Sequence, residues 1–240
     1  MPVIWNPWHG CTKISEGCKN CYVFRGDKKW GIDSSQVSKT QNFDLPLKKN
    51  RNGEYKIPTG SRVWTCFTSD FFIEQADSWR PIVWQIIQKR KDLHFFIPTK
   101  RVYRIQQCLP EDWGEGYDNV TISCTVENQR QANLRLPEYK KLAIKHKSLL
   151  CEPLLESIDL EPWIGSWIEL IVVGGESGGN ARTCNFDWVR NIRAACVESG
   201  IPFWFKQTGA NFVKEGIAYT IERKSQIAQA KKAGIDFDPT

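Results

Sequence analysis

Short, β-rich apolar runs recur along the chain at intervals that few folds can accommodate. Each run is followed by a polar turn and a stretch of helical character, and the runs begin every 21 to 33 residues. That interval matches one βα unit, because consecutive parallel strands need a crossover of about a dozen residues or more. The runs begin at Val63 (VWTCF), His94 (HFFIP), Asn119 (NVTISC), Lys147 (KSLLC), Ile168 (IELIVV) and Ile201 (IPFWF). The sequence therefore predicts a parallel sheet.

A short apolar strand at Val3–Trp5 brings the total to six to seven βα units. They predict an α/β fold with a closed or partial TIM-like barrel of parallel strands, and a flat doubly wound sheet is the alternative. The barrel would span residues 1–209 and contain a polar insertion at about 31–61, while residues 210–240 would form a C-terminal extension. A solvated surface segment or a lid over an anionic substrate would both suit that insertion.

The composition is that of an ordinary globular protein and excludes disorder, collagen and coiled coil. Hydrophobic residues make up 41% and charged residues 25% of the 240 residues. No run approaches the roughly 18 apolar residues of a membrane span, and the N-terminal residues lack the pattern of a signal peptide. We therefore expect a cytoplasmic protein without membrane contact. The net charge of +6 favours anionic partners, such as nucleotides or nucleic acid.

Three of the nine cysteines lie close together near the N-terminus. Cys11, Cys18 and Cys21 have the spacing C-x6-C-x2-C, in the loop that follows the first predicted strand. Gly10 and Gly17 stand beside the first two, where they let the backbone wrap closely. An odd number of cysteines in a cytoplasmic chain argues against a disulfide framework, so the cluster predicts a metal site.

The metal is not decided by the spacing. Three thiolates fill three corners of a four-iron cluster and leave one iron open for a substrate or cofactor. A zinc site completed by His9 or by a fourth cysteine is an alternative, as are cysteines that only fill the core. The other six cysteines, which lack ligand spacing, are Cys66, Cys108, Cys124, Cys151, Cys184 and Cys196.

The segment Trp5–Tyr22 (WNPWHGCTKISEGCKNCY) resembles the opening of a phage- and bacteria-associated, three-Cys-motif family of radical-SAM-like proteins of unassigned function. That family is distantly similar to spore photoproduct lyase. The resemblance continues in the same order to Gly209 through the motifs TSDFF, PTKR, TVEN, CEPL, VGGESG and FKQ.

This resemblance implies a barrel of the radical-SAM type and an S-adenosylmethionine (SAM) mechanism. Cys11, Cys18 and Cys21 would hold a [4Fe–4S] cluster whose open iron chelates SAM. One electron from an external donor would then cleave SAM to a 5′-deoxyadenosyl radical, which acts on the substrate. Two features depart from the usual radical-SAM pattern. The usual cysteine spacing is C-x3-C-x2-C, and the usual Gly-Gly-Glu follows the second strand, whereas Gly174–Glu176 follows the sixth.

Polar residues at the ends of predicted strands are candidates for holding SAM, because sites of parallel barrels assemble at the carboxyl ends of strands. Ser69 and Asp70 follow the second strand, where a carboxylate would neutralise the SAM ammonium. Thr125, Glu127 and Asn128 follow the fourth strand and have groups that can bind a ribose. Capping of the following helices is the structural alternative for Asp70 and Asn128.

Glu152 ends the apolar run KSLLC, and a carboxylate in that position needs a partner, so we also predict a cofactor contact for it. Glu176 lies in the run Gly174–Gly179, whose backbone N–H groups have the freedom to approach an anion. A tight turn is the alternative there.

Four further residues at the ends of predicted strands are candidates for binding the substrate. Lys100 and Arg101 end the third strand, and Lys206 and Gln207 end the seventh. Together with Glu176 they would form a polar pocket for the phosphate or carboxylate of an anionic substrate. Surface salt bridges are the alternative for the two lysines.

Two classes of function follow. The first is a radical-SAM enzyme acting on an anionic substrate such as a nucleotide or nucleic acid. The second is a nonenzymatic nucleic-acid-binding protein stabilised by zinc or by a structural cluster. Formation of 5′-deoxyadenosine from SAM would distinguish them.

Overall fold

The computed structural model describes residues 2–239, which form an α/β fold around a seven-stranded parallel sheet. The strands are β1 (Val3–Trp5), β2 (Trp8–His9), β3 (Ser38–Lys39), β4 (Arg62–Thr65), β5 (His94–Thr99), β6 (Val120–Thr125), β7 (His146–Cys151), β8 (Leu170–Gly174), β9 (Thr183–Asn185), β10 (Phe203–Gln207), β11 (Asn211–Lys214) and β12 (Ile217–Thr220). The helices are α1 (Tyr22–Lys28), α2 (Arg80–Lys89), α3 (Ile105–Cys108), α4 (Gln129–Lys141), α5 (Phe186–Glu198) and α6 (Gln226–Lys232). Within the described residues, no helix is both long enough and apolar enough to cross a membrane.

The strands of the large sheet follow one another in chain order, β1-β4-β5-β6-β7-β8-β10. The neighbours β1 and β4, β4 and β5, β7 and β8, and β8 and β10 run parallel. A doubly wound sheet reverses its strand order at a switch point, so this order excludes that alternative. β1 and β10 are the edges of the sheet, and the order is consistent with a partial barrel. All six apolar runs and the short strand at Val3–Trp5 lie in this sheet, so the predicted parallel architecture is confirmed.

The first of two compact units comprises the chain up to Lys13, Val23–Ser123 and Leu142–His146. Its core contains Trp5 of β1 and Phe95 of β5, which are fully buried with their ring centroids 5.6 Å apart. The apolar face of α2 adds Val83 and Ile87, which are also fully buried. The helix after β4 thus covers the sheet with its apolar stripe.

The polar insertion at about 31–61 is anchored within this unit. β3 of the insertion pairs with β2 through Trp8 and Lys39. At the end of α2, the fully buried Arg90 donates to the carbonyl of Pro46 and, at 2.8 Å, to that of Ile57. The same guanidinium lowers the pKa of Asp92 to about 2 by hydrogen bonding to its carboxylate. The insertion is therefore a packed part of the unit, although its surface is polar.

The second unit comprises Ile14–Tyr22, Cys124–Lys141 and the chain from Lys147 onward. β10 lies beside β8 with Phe205 opposite Val173. α5 begins at an N-cap in which the Asn185 side chain accepts a hydrogen bond from the N–H of Asp187 at 2.9 Å. β9, β11 and β12 form a separate small sheet with the strand order β12-β11-β9.

The C-terminal segment folds back onto β10. Phe203 and Phe237 exchange two backbone hydrogen bonds of 2.8 and 2.9 Å, and the Asp236 carboxylate accepts from the N–H of Phe205 at 2.8 Å. The residues beyond 209 are thus integrated into the second unit by pairing and packing.

Candidate metal and cofactor site

The nine cysteines divide into two classes by exposure. Cys11, Cys18 and Cys21 are half-buried, whereas the six others are buried. All nine are free thiols. The half-buried class contains the three residues that the sequence predicts as metal ligands, and no others.

Burial makes the thiols of the second class poor ligands. It raises the pKa of Cys66 and Cys151 well above the usual thiol range, and that of Cys184 and Cys196 to about 12. Because a metal binds the thiolate, a raised thiol pKa disfavours metal binding at these positions. The buried cysteines therefore serve as small core residues, as the sequence predicts for most of them.

In the first unit, Arg101 lies beside Cys11. Its guanidinium Nη1 is 3.9 Å from Cys11 Sγ, and Nη2 donates to the carbonyl and hydroxyl oxygens of Thr12 at 3.0 and 2.7 Å. Burial alone would lower the pKa of Arg101, but the charges of Asp70 and Cys11 outweigh burial and raise it. A permanent positive charge therefore lies next to the Cys11 sulfur, where it favours the thiolate.

Asp70 connects the ends of β4 and β5. Its carboxylate accepts from Thr99 Oγ1 at 2.8 Å, from the N–H of Lys100 at 3.0 Å and from the N–H of Phe72 at 3.0 Å, and it pairs with Arg101 at 3.2 Å. These contacts fix Arg101. The Phe72 contact is a turn contact between residues two apart, and the next helical segments have Ile73 and Trp79 at their N-caps, so the capping alternative is wrong for Asp70. The Lys100 side chain is half-buried, and this network uses only its backbone N–H.

Gly10, directly before Cys11, has no room for a side chain. Gly10 has φ +96°, and a Cβ there would lie 2.7 Å from the carbonyl oxygen of Gln36. Ser69 donates its hydroxyl to the Gly10 carbonyl. The predicted role of Gly10 in close backbone wrapping is thus confirmed, and Ser69 stabilises that turn.

In the second unit, Glu127 at the end of β6 holds the segment that carries Cys18. Glu127 is fully buried, and its carboxylate accepts from the Ser15 hydroxyl and from the N–H of Gly17 at 3.2 Å. Arg135 of α4 pairs with the same carboxylate at 2.7 Å and also donates to the Thr125 carbonyl at 2.6 Å. A Cβ at Gly17 would lie 2.8 Å from Glu127 Oε1, so this approach requires glycine.

Asn128 joins the same segment to α4. Its amide donates to Glu16 at 2.9 Å, and its oxygen accepts from the N–H of Gln131 at 2.9 Å, as in a helix cap. The capping alternative therefore describes this residue.

Glu176 also holds the segment between Cys18 and Cys21. Its carboxylate accepts from the Asn20 amide at 3.0 Å and pairs with Arg182 at 2.6 Å, and Arg182 donates to the Glu16 carbonyl at 2.9 Å. Burial would raise the pKa of Glu176, but the hydrogen bonds from Arg182 and Asn20 outweigh burial and lower it. Glu176 is therefore an ionised carboxylate that holds the Asn20 and Arg182 side chains within the second unit.

Glu152, Lys206 and Gln207 form a further polar group at the ends of β7 and β10. Lys206 Nζ is 2.6 Å from the Glu152 carboxylate, and the Gln207 amide donates to the same carboxylate at 2.9 Å. The side chains of Glu152 and Lys206 are 20% and 21% exposed. A Cβ at Gly174 would lie 3.1 Å from Glu152 Oε1, so this glycine makes room for the group.

Within the units, the predicted residues thus lie in four hydrogen-bonded groups, around Asp70 in the first unit and around Glu127, Glu176 and Glu152 in the second. Sequence reasoning missed the partners Thr12, Ser15, Asn20, Arg135 and Arg182. Asn20 stands between two predicted ligands, which was a usable signal. The two arginines lie on surface-like stretches of α4 and the 177–182 loop, where nothing in the sequence distinguishes a buried cation from an exposed one.

The residues present fit an iron–sulfur cluster in donor chemistry, since such clusters are held by cysteine thiolates. Among residues 2–239, no three His, Cys, Asp or Glu side chains are grouped as ligands of a metal ion. His9, the alternative zinc ligand, has its Nε2 atom 2.9 Å from the Asp27 carboxylate.

The model of one protein family matches residues 2–238, nearly the whole chain. It is described as a family of proteins of unknown function, DUF5131. No curated protein and no solved structure matches the chain.

Proposed function

We propose that this chain, which belongs to the DUF5131 family, is an iron–sulfur protein of the radical-SAM type. Cys11, Cys18 and Cys21 would hold a [4Fe–4S] cluster, with SAM as the cofactor. The observation that carries the proposal is the division of the cysteines, because only the three predicted ligands are half-buried. When bound, the cluster and SAM would supply one-electron chemistry that leads to removal of a substrate hydrogen.

The chain's own residues prepare the three thiols for this role. Arg101, held by Asp70, provides positive charge at Cys11. Glu127 and Glu176 fix the backbone around Cys18 and Cys21 through Ser15, Gly17 and Asn20. We therefore assign Asp70, Glu127 and Glu176 as positioning residues, since each acts through its contacts to the cysteine segments.

The group of Glu152, Lys206 and Gln207 is the proposed substrate side. Its members are half-buried and carry both charges, so an incoming phosphate or carboxylate would compete with Glu152 for Lys206. This chemistry fits an anionic substrate such as a nucleotide or nucleic acid. An external donor would supply the electron.

Anaerobic reconstitution with iron and sulfide tests the cluster. We expect about four iron and four sulfide per chain, the content of this cluster type. Cys18→Ala should lose most of the iron, whereas Cys108→Ala, a change at a buried cysteine, should retain it. Stoichiometric zinc without sulfide would contradict the cluster and support the nonenzymatic metal-stabilised protein. Equal iron loss in both variants, with folding intact by circular dichroism, would contradict the assignment of ligands.

Electron paramagnetic resonance tests the cofactor. SAM should perturb the spectrum of the reduced cluster, and dithionite-reduced protein should release 5′-deoxyadenosine. Lys206→Met should leave both signals intact, because Lys206 is assigned to the substrate. An unchanged spectrum at saturating SAM would leave an iron–sulfur protein that is not a radical-SAM enzyme.

A further inference from the structure

A cleft in the second unit, whose lining includes no member of the four groups above, lies between α5, β11, β12 and α6. Its volume is about 800 Å3, within the range of roughly 300–1,000 Å3 that is typical of small-molecule sites. Every residue that lines it lies between Phe186 and Ile235. It is therefore a feature of one unit and uses none of the predicted metal or cofactor residues.

Aromatic rings form the apolar part of this cleft. Phe186, Phe205 and Phe212 have ring centroids 5.8 to 6.2 Å apart in all three pairings. Tyr219 stands directly opposite Phe212 in the β11–β12 register and is 45% exposed. The half-buried Phe186 and the exposed Tyr219 thus offer ring surface to a ligand, while the two buried phenylalanines support them.

Cations from three elements surround the rings. Arg190 lies one helical turn after Phe186 on α5, Lys214 lies two residues after Phe212 on β11, and Lys232 lies on α6. The Lys214 ammonium is 5.5 Å from the centre of the Phe186 ring. The single carboxylate in the lining, Glu222, is already paired with Lys224 at 2.9 Å.

We propose that this cleft binds a nucleoside phosphate, with the base stacked on the aromatic rings and the phosphate held by the cations. Arg190 and Lys214 have long, exposed ion pairs, to Asp187 at 3.7 Å and to Glu215 at 3.8 Å, which a phosphate can replace. An apolar ligand would use none of the three cations, and an anion without a ring would leave the exposed aromatic surface uncovered. A nucleotide pairs with the cations and also covers the rings, because phosphates pair with lysine and arginine and bases stack on aromatic side chains. The inference does not depend on the metal or on SAM.

Two sources present this chemistry: a free mononucleotide and one unit of a single-stranded nucleic acid. Calorimetric titration with ATP, adenosine, inorganic triphosphate and a ten-residue oligodeoxyadenylate separates them. We expect ATP or the oligonucleotide to bind at least tenfold more tightly than adenosine or triphosphate, since only nucleoside phosphates have both groups. The tighter of the two identifies the source. Equal affinity for triphosphate and ATP, or no binding of either nucleotide ligand, would overturn the proposal.

Exposed side chains allow the site to be tested without loss of folding. Arg190→Ala combined with Lys214→Ala should weaken nucleotide binding at least tenfold and flatten its salt dependence, and Tyr219→Ala should weaken it at constant salt slope. Lys231→Ala removes a neighbouring exposed cation on α6 that does not line the cleft, so its affinity should stay within twofold of the unmodified protein. Equal losses in Lys231→Ala and in the double variant would show non-specific charge attraction and overturn the assignment.

Discussion

Two buried ion pairs, one in each unit, hold the cysteine segments in opposite ways. In the first unit the arginine of the pair reaches Cys11 and Thr12, and Asp70 lies behind it. In the second unit the carboxylate of Glu127 reaches Ser15 and Gly17, and Arg135 lies behind it. The same kind of pair thus presents a positive charge to a sulfur in one place and a negative charge to backbone and hydroxyl donors in the other. The first arrangement places positive charge beside a thiol, whereas the second fixes the path of a loop.

The largest effect should come from breaking the pair in the second unit. Glu127→Ala removes a fully buried carboxylate and leaves the Arg135 guanidinium, 7% exposed, without its counter-ion. We expect the free energy of unfolding to fall by about 3–5 kcal/mol, measured by urea denaturation. Glu138→Ala, at an exposed pair on the same helix, should cost less than about 1 kcal/mol.

Adding Arg135→Met to Glu127→Ala should recover part of that loss, because no unpaired cation then remains buried. A double variant less stable than Glu127→Ala would show that Arg135 stabilises the fold independently of the pair.

The pair in the first unit should matter less for stability. Asp70→Asn keeps an acceptor for Thr99 but removes the charge opposite Arg101. The Asp70–Arg101 distance of 3.2 Å is longer than the 2.7 Å of the Glu127–Arg135 pair, and Arg101 keeps its hydrogen bonds to Thr12. We expect the free energy of unfolding to fall by about 1–3 kcal/mol in the same urea denaturation experiment. Asp118→Asn, at an exposed carboxylate, is the matched control. A loss larger than that of Glu127→Ala would reverse the order of the two pairs.

Arg101→Gln tests whether the first pair acts on the sulfur. Without the guanidinium, alkylation of Cys11 by iodoacetamide should slow several-fold in the metal-free protein, because less thiolate is present. Mass spectrometry of the Cys11 peptide measures the rate. Arg62→Gln, at an exposed arginine of β4, should leave it unchanged. An unchanged rate in Arg101→Gln would reduce Arg101 to a purely structural role.

The smallest expected effect concerns Glu176, whose partner Arg182 is 29% exposed. The folded-state pKa of Glu176 is lowered, so its ionisation stabilises the fold above the usual pKa of 4.5 and this stabilisation is lost as the pH falls below that value. Glu176→Gln should therefore reduce the difference in unfolding free energy between pH 7 and pH 4. An equal pH dependence in both proteins would contradict this linkage.

The sequence predicts the strands of the parallel sheet better than it predicts the ion pairs around the cysteine segments. The apolar runs locate every strand of the parallel sheet, because the buried positions of these strands are filled by apolar residues close together in the sequence. Glu127 and Glu176 bind Ser15, Gly17 and Asn20 across more than 100 residues of sequence, which leaves no local signal. Neither Arg135 nor Arg182 differs locally from a surface arginine. Asp70 and Asn128 illustrate the intermediate case. The turn contact of Asp70 with Phe72 and the helix-cap contact of Asn128 with Gln131 are local, but their contacts to Arg101 and Glu16 are not.

The backbone pairing of Phe203 with Phe237 has a consequence for solution behaviour. β10 is an edge of the parallel sheet, and an open edge offers unpaired backbone groups to other chains. Phe237 and Asp236 occupy donors and acceptors of that edge. The C-terminal segment therefore protects the protein against self-association, and removal of residues 233–240 should produce concentration-dependent aggregates in light scattering while leaving the cysteine segments intact.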